Sequence, residues 1–356
     1  MKIRIKPLDL LFFGDSKPSV TGEDHRASSL TFPTPSTLYG ALRTVYFASH
    51  PGELAKANGP GDPTADLKIT DYKILRGRDY FYPLPSDLVH DKSDDGDGNQ
   101  LPLLRLISKK RCGVIASSYN GILTDEYYSV PRDGMLVEKP PESFLDEGEL
   151  ENYASGAAEI NGSLLSSQIF SEDKIGIQID DGLHSTRESM LYQIKQKRYD
   201  GIELVVGFEG LDVPEEGFIK LGGQGNGSCY HPILENEEDW SENVPSVHSP
   251  GYGKLYLMTP AIFKQGWVPD FINPRTMEGD WNGHHLKLVS ACVQGSGVIG
   301  GYDIKAGKQK PLRLAVPAGS VYRFALLDAP DIGKTQKAEI PSELAQQGFG
   351  LGYWIF

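Results

Sequence analysis

The sequence predicts an α+β fold built from short strands, few helices and long loops. The 356 residues include 40 Gly and 24 Pro, and so many turn-forming residues indicate short strands rather than a helical bundle. Residues 1–6 alternate apolar and basic side chains, which is the period of a half-buried strand. One strong helix start follows, and strand patterns return from residue 175. The length fits two domains, or one domain enlarged by insertions.

The opening of the chain has the order strand, loop, helix. The first strand is predicted to run through about Ile5, and residues 11–18 form an aromatic, polar loop. Thr34 is the predicted N-cap of the first helix, with Pro35 at the first helical position, where the missing N–H costs nothing. Apolar residues follow at helical spacing at Leu38, Ala41, Leu42 and Val45. The His-Pro-Gly sequence at 50–52 ends the helix, and this order suits a ferredoxin-like unit.

The remainder divides into loop-rich insertions and short strands. Residues 50–70 and 85–101 are rich in Gly, Pro and Asp, residues 101–130 are predicted to form a projecting hairpin, and residues 131–165 are acidic. Strands are predicted at 175–179, 190–192, 201–206, 253–259, 286–293 and 320–326. Because Gly and Pro cluster at 207–217, we predict an N-terminal domain of residues 1–212 and a C-terminal domain of residues 213–356. The predicted insertions in the first are at about 50–70, 85–130 and 131–170.

Membrane and metal proteins are both disfavoured by the sequence. No segment approaches the roughly 18 apolar residues of a membrane span, and Asp9 interrupts the apolar run near the amino terminus. Cys112, Cys229 and Cys292 lie far apart and lack metal-ligand spacing. We therefore expect a cytoplasmic protein with no metal, no cofactor and no membrane partner.

The net charge of −13 counts against a nucleic-acid partner. The acidic residues, however, concentrate in segments that resemble solvated loops, at 94–97, 146–149 and 235–239. Basic residues gather elsewhere, at 109–111, 195–198 and 305–313. This segregation permits a local basic groove on an acidic protein.

A glycine-rich segment, GSGVIG at 295–300, matches the G-x-G-x-x-G pattern but not the dinucleotide-binding context, because no long helix or ribose-binding carboxylate follows. Its unhindered glycines, Gly295, Gly297, Gly300 and Gly301, can instead form an anion nest. Beyond them Lys305, Lys308, Lys310 and Arg313 are positioned to follow further phosphates. The alternative interpretation is a tight hairpin with solvated lysines.

The start of the first helix is a second candidate anion site. Free N–H groups are expected there beside the hydroxyls of Ser36 and Thr37, with Arg43 two turns further on. The alternative for Arg43 is an ordinary surface arginine. The glycines of the segment GFGLGY at 348–353 are predicted either to pack closely against this helix or to present N–H groups to a ligand.

Catalytic patterns are poorly represented. The sequence contains no H-E-x-x-H, no C-x-x-C, no G-x-x-x-x-G-K-[ST] and no G-x-S-x-G. The acidic segment at 95–99 lacks the glycine and the glutamate of a calcium loop. His25, next to Arg26, is a weak candidate for acid–base cleavage of RNA, but a lone histidine in a polar loop is usually only solvated.

Five blocks along the chain together resemble one family. They are IKPLDLLFF at 5–13, FPTPSTLYGALR at 32–43, TRESMLY at 186–192, GGYD at 300–303, and KPLR at 310–313 with VPAGSVY at 316–322. The chain resembles the third subunit of the Cmr (type III-B) CRISPR effector complex, within the RAMP superfamily. Two positions depart from the family pattern: Gly14 stands where many members have Arg, which leaves Lys17 as the basic residue of that loop, and Tyr302 stands where Trp is usual.

The resemblance implies two tandem ferredoxin-like (RRM-like) domains and a non-catalytic role at the 5′ repeat-derived tag of the crRNA. It further implies docking of the Cas10-type large subunit, contact with neighbouring RAMP backbone subunits, and indirect contact with target RNA through the projecting hairpin. The residues expected to contact RNA by phosphate binding, stacking or apolar contact are Phe13, Gly14, Lys17, Arg26, Ser36, Thr37, Gly40, Arg43, Arg187, Tyr192, Gly295, Gly297, Gly300, Gly301, Tyr302, Lys308, Lys310 and Arg313.

Three alternatives stay open at this point. A metal-independent endoribonuclease that matures guide RNA would need an acid–base pair, for which His25 is the available member. The equivalent subunit of a Csm (type III-A) complex would have the same role. A purely structural scaffold would contact protein partners but not RNA.

Overall fold

The protein is a β-rich α+β structure, as seen in a computed structural model. The structure describes residues 1–15, 25–92, 100–110, 127–131, 136–179, 186–233, 240–242, 244, 251–303, 307–328 and 335–356. Among these residues, no helix has the length and apolar character needed to cross a membrane.

The regular elements are numbered along the chain. The strands are β1 Lys2–Pro7, β2 His25–Ala27, β3 Lys68–Arg76, β4 Asp79–Pro83, β5 Leu88–Asp91, β6 Gln100–Arg105, β7 Ile107–Lys110, β8 Tyr127–Val130, β9 Val137–Glu138, β10 Ser143–Asp146, β11 Ile160–Leu164, β12 Ile169–Ile179, β13 Thr186–Tyr199, β14 Ile202–Glu209, β15 Gly217–Lys220, β16 Gly227–Pro232, β17 Tyr252–Leu257, β18 Glu278–Trp281, β19 His284–Cys292, β20 Gly297–Ile299, β21 Tyr302–Asp303, β22 Lys308–Gln309, β23 Arg313–Ala315, β24 Val321–Leu326, β25 Gln336–Glu339 and β26 Leu351–Ile355. The α-helices are α1 Pro35–Ser49 and α2 Glu147–Ala154. Short 3₁₀ helices occupy Pro51–Lys56, Trp240–Glu242 and Ala345–Gln347.

The larger sheet has eleven strands, in the order β15-β16-β1-β14-β3-β4-β10-β11-β6-β5-β9. Strand β1 lies inside it, antiparallel to both β14 and β16. Ile3 and Ile5 point into the core and are fully buried, while Arg4 and Lys6 are exposed. The alternation predicted for the first residues is therefore confirmed, and it fixes which face of the sheet is apolar.

Helix α1 begins at Pro35 and ends at Ser49, as the sequence predicts, and its apolar stripe is buried. The predicted side-chain cap does not form: Thr34 makes no hydrogen bond to a helical N–H, and its hydroxyl lies 3.2 Å from the Thr37 hydroxyl instead. Leu38 and Leu42 of this helix belong to a core cluster that also includes Tyr256 and Leu351. One continuous core thus joins the two ends of the chain.

The second sheet has six strands, in the order β18-β19-β24-β17-β26-β25. Successive side chains of β17 point to opposite faces of the sheet. Tyr256 therefore packs in the core cluster that contains Leu38 and Leu42, here called the shared core, while Leu255 packs in a second cluster on the other face. Trp354 and Phe324 lie in this second cluster, with ring centroids 5.1 Å apart. The sheet is therefore covered on both faces.

The glycine segment at 348–353 packs tightly against β3 and β17, and Gly348 also lies beside Pro35 at the start of the first helix. A Cβ atom added to Gly348, which has a φ of +93°, would lie 2.8 Å from Ile69 Cγ2. One added to Gly352 would lie 2.5 Å from the carbonyl oxygen of Tyr256. Of the two interpretations of these glycines, close packing of backbone is the one found.

Several predicted loops carry sheet strands. Strands β5, β6, β9, β10 and β11 all come from the predicted insertions at 85–130 and 131–170, and they extend the larger sheet. Strands β15 and β16 pair beside β1, so this sheet also continues past the predicted domain boundary at residue 212. The division into two domains itself stays a prediction.

Two hairpins extend outside the large sheets. Strands β7 and β8 pair antiparallel within the predicted hairpin region, with Lys110 opposite Tyr127, while residues 111–126 lie outside the described part. Strands β12 and β13 are 11 and 14 residues long and pair antiparallel, and β2 adds in parallel to β13. The sequence patterns at 175–179 and 190–192 predict strands here, as observed, but not a hairpin of this length.

Candidate nucleic-acid interface

A two-part hairpin at residues 297–315, here called the glycine hairpin, brings together most of the predicted sites of the C-terminal half. Strands β20 and β23 form its base, and Val298 lies opposite Leu314. Strands β21 and β22 form its outer part, and Tyr302 lies opposite Gln309. The N–H of Lys310 donates to the carbonyl of Gly301 at 2.8 Å and closes the ladder between the two parts.

The base of the glycine hairpin is fixed by alternation of its side chains. Ile299 and Ala315 point inward and pack with Ile262 and Phe349 in a small core cluster. Gly301 adopts a φ of +145° and Gly295 a φ of +76°, backbone conformations that favour glycine. Gly297 is half-buried and begins β20, and Gly300 follows β20. The glycines therefore permit the turns that lift the outer part away from the body of the protein.

The outer part presents an aromatic ring and two cations to solvent. The side chain of Tyr302 is 58% exposed, and Lys308 and Lys310 are both exposed. Neither lysine forms an ion pair with a residue that the structure describes; Asp303 lies opposite Lys308 in the ladder. The arrangement offers one stacking surface beside two phosphate-binding charges. Lys305 lies outside the described residues.

Arg313 differs from the two lysines because its charge is already paired. Its Nε donates to Glu343 Oε2 at 2.8 Å, and Nη1 donates to the carbonyl of Pro311 at 3.3 Å. The guanidinium thus braces β23 against the segment after β25. A phosphate at Arg313 would have to compete with Glu343.

The predicted anion site at the start of α1 is occupied by the protein's own groups. The Ser36 hydroxyl donates to Gln347 Oε1 at 2.7 Å, and the Thr37 hydroxyl faces Thr34. Gly40, on the exposed side of the helix, has no atom within 4 Å of an added Cβ. Only Gly40 among these positions offers an open surface.

The guanidinium group of Arg43 is hydrogen-bonded to side chains of the loop at 58–64. Its guanidinium donates to Thr64 Oγ1 at 2.7 Å, to Asn58 Oδ1 at 2.9 Å and to Asp62 Oδ2 at 2.7 Å. Burial acts to raise the pKa of Asp62, but hydrogen bonds from Thr64 and Asn58 and the charge of Arg43 outweigh it, so the pKa lies below its ordinary value. The side chain of Arg43 thus secures the loop at 58–64, and a phosphate at Arg43 would have to compete with these partners. The phosphate contact at Arg43 stays a prediction.

The opening loop places its predicted RNA-contacting residues in different surroundings. Phe13 is 3% exposed and belongs to the shared core, so its ring has no face available for a base. The Phe13 N–H is accepted by the Ser29 hydroxyl at 2.9 Å. Gly14 is exposed and forms an isolated bridge with Ser29, whereas Lys17 lies outside the described residues. Phe13 is buried because it packs with apolar side chains of the core, and the two adjacent phenylalanines at 12–13 do not by themselves show which of them is buried.

The remaining predicted residues meet on the sheet formed by β12, β13 and β2. His25 lies in register with Tyr192, and Arg26 lies in register with Gln193. Arg187 lies near the start of the same strand, β13. Their side chains lie outside the described part. The backbone therefore places the weak catalytic candidate His25 and the RNA candidates Arg26 and Tyr192 side by side, although they are far apart in sequence.

The same sheet also carries basic residues that are not among the predicted RNA-binding residues. Lys195 is exposed on β13, and Arg198 pairs with Glu172 at 2.7 Å and lies over the Phe170 ring at 5.3 Å. The basic residues at 195–198 are the sequence feature that could have indicated these cations. Because successive side chains of a strand point to opposite faces of the sheet, only some of these charges share one surface.

Titratable clusters do not suggest a metal centre in the described ranges, where no group of three His, Cys, Asp or Glu residues is placed to hold an ion. Cys229 and Cys292 carry free thiols.

The family model described as CRISPR-associated protein (Cas_Cmr3) matches residues 3–356. The chain belongs to the Cmr3 family. The resemblance to the third Cmr subunit of type III-B systems is thereby confirmed. The CRISPR system CMR subunit Cmr3 of Saccharolobus solfataricus (strain ATCC 35092 / DSM 1617 / JCM 11322 / P2) is 27% identical over 204 residues, which cover 54% of this chain and 50% of the relative. The match thus spans about half the length of that curated relative.

Solved structures show a similar fold. A chain of the type III-B Cmr-beta complex bound to cognate target RNA and AMPPnP is 16% identical, with a TM-score of 0.53 over 91% of this chain and 86% of that chain. A chain of the type III-B Cmr-beta complex bound to cognate target RNA is 17% identical, with a TM-score of 0.53 over the same shares of the two chains. At this identity the similarity concerns the fold alone.

Proposed function

We propose that the chain is a non-catalytic, guide-RNA-binding subunit of a cytoplasmic type III-B Cmr complex. It holds the 5′ repeat-derived tag of the crRNA and docks the Cas10-type large subunit beside the RAMP backbone subunits. The observation that carries the proposal is the outer part of the glycine hairpin, where exposed Tyr302 stands with Lys308 and Lys310. Single-stranded RNA is bound through phosphates and through bases stacked on aromatic rings, and this hairpin offers both.

Local charge supports this assignment despite the net charge of −13. Lys308 and Lys310 have no carboxylate partner among the described residues, so binding a phosphate there would not require breaking an ion pair. The glycine turns allow the backbone to approach a phosphate closely. A structure with a similar fold is a chain of a type III-B Cmr-beta complex bound to cognate target RNA, and this agrees with an RNA partner for the complex that we propose.

The base of the glycine hairpin supports a protein partner as well. Val298, Leu312 and Leu314 are 42%, 54% and 67% exposed and form an apolar outer face. Exposed apolar patches beside a polar rim are typical of protein interfaces. We assign this face to the neighbouring subunits and the outer part to RNA.

The strand order supports two ferredoxin-like units. Strands β1 and β3 are both antiparallel to β14, which lies between them, and α1 connects them; this is a split βαβ unit, with β16 on the other side of β1. In the second sheet β17 and β19 flank β24, and β26 lies on the other side of β17. The second unit repeats the strand order of the first, but the described part of its crossover between β17 and β18 holds no α-helix.

The test uses the full chain, alone and with the large subunit, and guide RNA with a native or a scrambled 5′ tag. Affinity is measured across a salt series, and the same RNA is run on a denaturing gel. We expect tag-dependent binding to intact RNA, and the double substitution Lys308→Gln, Lys310→Gln should reduce the slope of log K against log salt by about 0.7 per phosphate contact.

Other outcomes assign other functions. Binding that does not depend on the tag, or no binding in either preparation, would support a scaffold. Cleaved RNA without added metal, lost in His25→Ala, would support the endoribonuclease. The matched control is Arg275→Gln, an exposed residue of the second sheet's connecting loop, for which the salt slope should not change.

A further inference from the structure

A cleft of about 270 Å³ lies where the two large sheets separate. Its walls come from the end of β6, from the base of the β7–β8 hairpin, and from the neighbouring strands β17, β24 and β19. None of its residues lies in the glycine hairpin. The polar residues that line it include Asp87, Arg105, Lys254, Ser290, Cys292 and Arg323.

The polar row in this cleft follows from strand register. Arg323 on β24 lies directly opposite Lys254 on β17 and opposite Ser290 on β19. Side chains that are directly opposite on adjacent strands share one face of the sheet and lie about 5 Å apart. Two residues further along the same face, Tyr256 and Val321 enter the shared core. The cleft is therefore the open, polar end of the space that the core fills elsewhere.

One of the three cations is neutralised within the protein. Asp87 is 5% exposed and accepts hydrogen bonds from Lys254 Nζ and from the Tyr153 hydroxyl, both at 2.8 Å. Burial acts to raise the pKa of Asp87, but Lys254, the Tyr153 hydroxyl and Arg105 outweigh it, so the pKa lies below its ordinary value. Asp87 is thus ionised and pairs with Lys254.

Neither guanidinium group forms an ion pair or a hydrogen bond with a carboxylate of the residues that the structure describes, although Asp87 lies near enough to Arg105 for the charge of Arg105 to lower its pKa. Arg105 donates to the backbone carbonyl of Tyr153 at 2.9 Å and lies over the Tyr153 ring at 4.9 Å. Arg323 lies over the ring of Tyr252 at 4.8 Å, and it forms no hydrogen bond or ion pair with any residue that the structure describes. Both guanidinium groups are half-buried, and the one nearby carboxylate, Asp87, already pairs with Lys254. A further anion between Arg105 and Arg323 would compensate the remaining positive charge.

The size and chemistry of the cleft select the anion. A guanidinium fork matches the geometry of phosphate oxygens, and the ring of Tyr252 beside Arg323 offers a planar surface for a base. Ligand pockets commonly measure about 300–1,000 Å³, so a cleft near the lower limit accepts one nucleotide rather than an extended segment. We propose that this cleft binds a single phosphorylated nucleotide, with its phosphate between Arg105 and Arg323.

The ligand chemistry has two possible sources, a free nucleotide or one nucleotide of an RNA strand, and the test separates them. Cys292 lines the cleft and reports occupancy when it is the only thiol, in the full chain with Cys112→Ser and Cys229→Ser. Its modification rate by a thiol reagent is followed at mildly alkaline pH, because burial raises the pKa of this thiol. The probes are AMP, adenosine and a single-stranded oligoribonucleotide of eight residues.

We expect AMP, the oligoribonucleotide or both to slow the modification of Cys292, and adenosine to have little effect. Protection by AMP assigns a free nucleotide, and protection by the oligoribonucleotide alone assigns an RNA nucleotide. Arg323→Gln should raise the concentration for half-protection about tenfold or more, since hydrogen bonds to charged groups contribute about 1.5–3 kcal/mol. Arg275→Gln removes an exposed guanidinium from the same sheet's loop region and should leave protection unchanged.

Ser290→Asp provides a second variant in case Arg323→Gln does not fold, which a thermal melt would reveal. A carboxylate at that position faces the phosphate, so protection should weaken there too. Equal protection in these variants and the parent chain, no protection by AMP or the oligoribonucleotide, or protection by adenosine equal to that by AMP would overturn the proposal. Tyr302→Ala, which tests the RNA function of the glycine hairpin, should leave AMP protection intact, so the two proposals can fail separately.

Discussion

The start of α1 and the glycine hairpin carry similar chemical groups, but those at α1 are paired within the protein and those of the hairpin are exposed. At α1, the hydroxyl of Ser36 is satisfied by Gln347 and the guanidinium of Arg43 by three groups of the loop at 58–64. In the glycine hairpin, Lys308 and Lys310 are exposed and lack an ion-pair partner among the described residues, and Tyr302 is largely exposed. A side chain of a type suited to phosphate is available for a ligand only where no other group of the protein already pairs with it.

The largest expected effect is on stability, at the α1 side. Arg43→Ala removes three hydrogen bonds from a charged donor and leaves Asp62 without its counter-charge, so we expect a loss of about 2–4 kcal/mol in the free energy of unfolding. Urea denaturation measures it. Arg275→Ala, an exposed arginine, should change stability by less than about 0.5 kcal/mol. If Arg43→Ala were stable but bound RNA weakly, the assignment of Arg43 to structure would be wrong.

The next effect is on RNA binding, at the hairpin side. Tyr302→Ala removes the exposed ring and should weaken binding of tagged guide RNA by about 1–3 kcal/mol, since stacking of one base contributes about that amount. The free energy of unfolding should hardly change, because the ring is not in a core cluster. Tyr302→Phe keeps the stacking face and is the matched control. Equal affinities for the Ala variant and the parent chain would remove Tyr302 from the interface.

A smaller effect is expected for the hydroxyl at the helix start. Ser36→Ala deletes the donor to Gln347 and should lower the free energy of unfolding by about 1 kcal/mol. RNA affinity should be unaffected, because the hydroxyl is already engaged within the protein. Gln347→Ala is expected to match it, and their combination should cost little more than either single change. A selective loss of RNA affinity in Ser36→Ala would restore the anion site predicted from sequence.

The smallest effect concerns pH. The pKa of Asp62 is lowered in the folded protein from its ordinary value of 3.8, so its contribution to stability is full above that value and is lost as the pH falls through the folded pKa. Between about pH 5 and pH 3 the parent chain should therefore lose stability more steeply than Asp62→Asn. Urea midpoints at several pH values measure the difference. Identical slopes would show that Asp62 does not titrate with folding.

Local patterns along the chain predicted the parts of the fold that depend on neighbours in sequence. The alternation at residues 1–6 predicted β1, and the Pro35 start with Leu38 and Leu42 at helical spacing predicted α1. The glycine-rich segment and the basic residues after it predicted a hairpin as one of two interpretations, and a hairpin is what forms. In each case the local pattern of side chains indicates the type of element, although the strands that pair with β1 come from distant parts of the chain.

The sequence did not predict the large sheet or the cleft. Strands β10 and β11 come from a segment that resembles an acidic loop. Each also pairs with a strand from an earlier part of the chain, β4 and β6 respectively, and no local pattern indicates this pairing. Arg105, Lys254 and Arg323 are spread over more than half of the chain, and no local motif connects them. Sheet register alone brings Lys254 and Arg323 together.

Sequence by itself thus determined the α+β class, the first strand and helix, and the Cmr family. Only the tertiary structure decided which of the candidate side chains are free to bind. Phe13 became a core residue and Arg43 a loop anchor because burial and hydrogen bonding depend on groups distant in sequence. Tyr302 is exposed because it lies in the outer part of the glycine hairpin, beside the turns at Gly301 and Gly307, and not in a core cluster. The type of a residue determines which groups its side chain can bind. The surrounding residues determine whether that side chain is already buried or hydrogen-bonded within the protein.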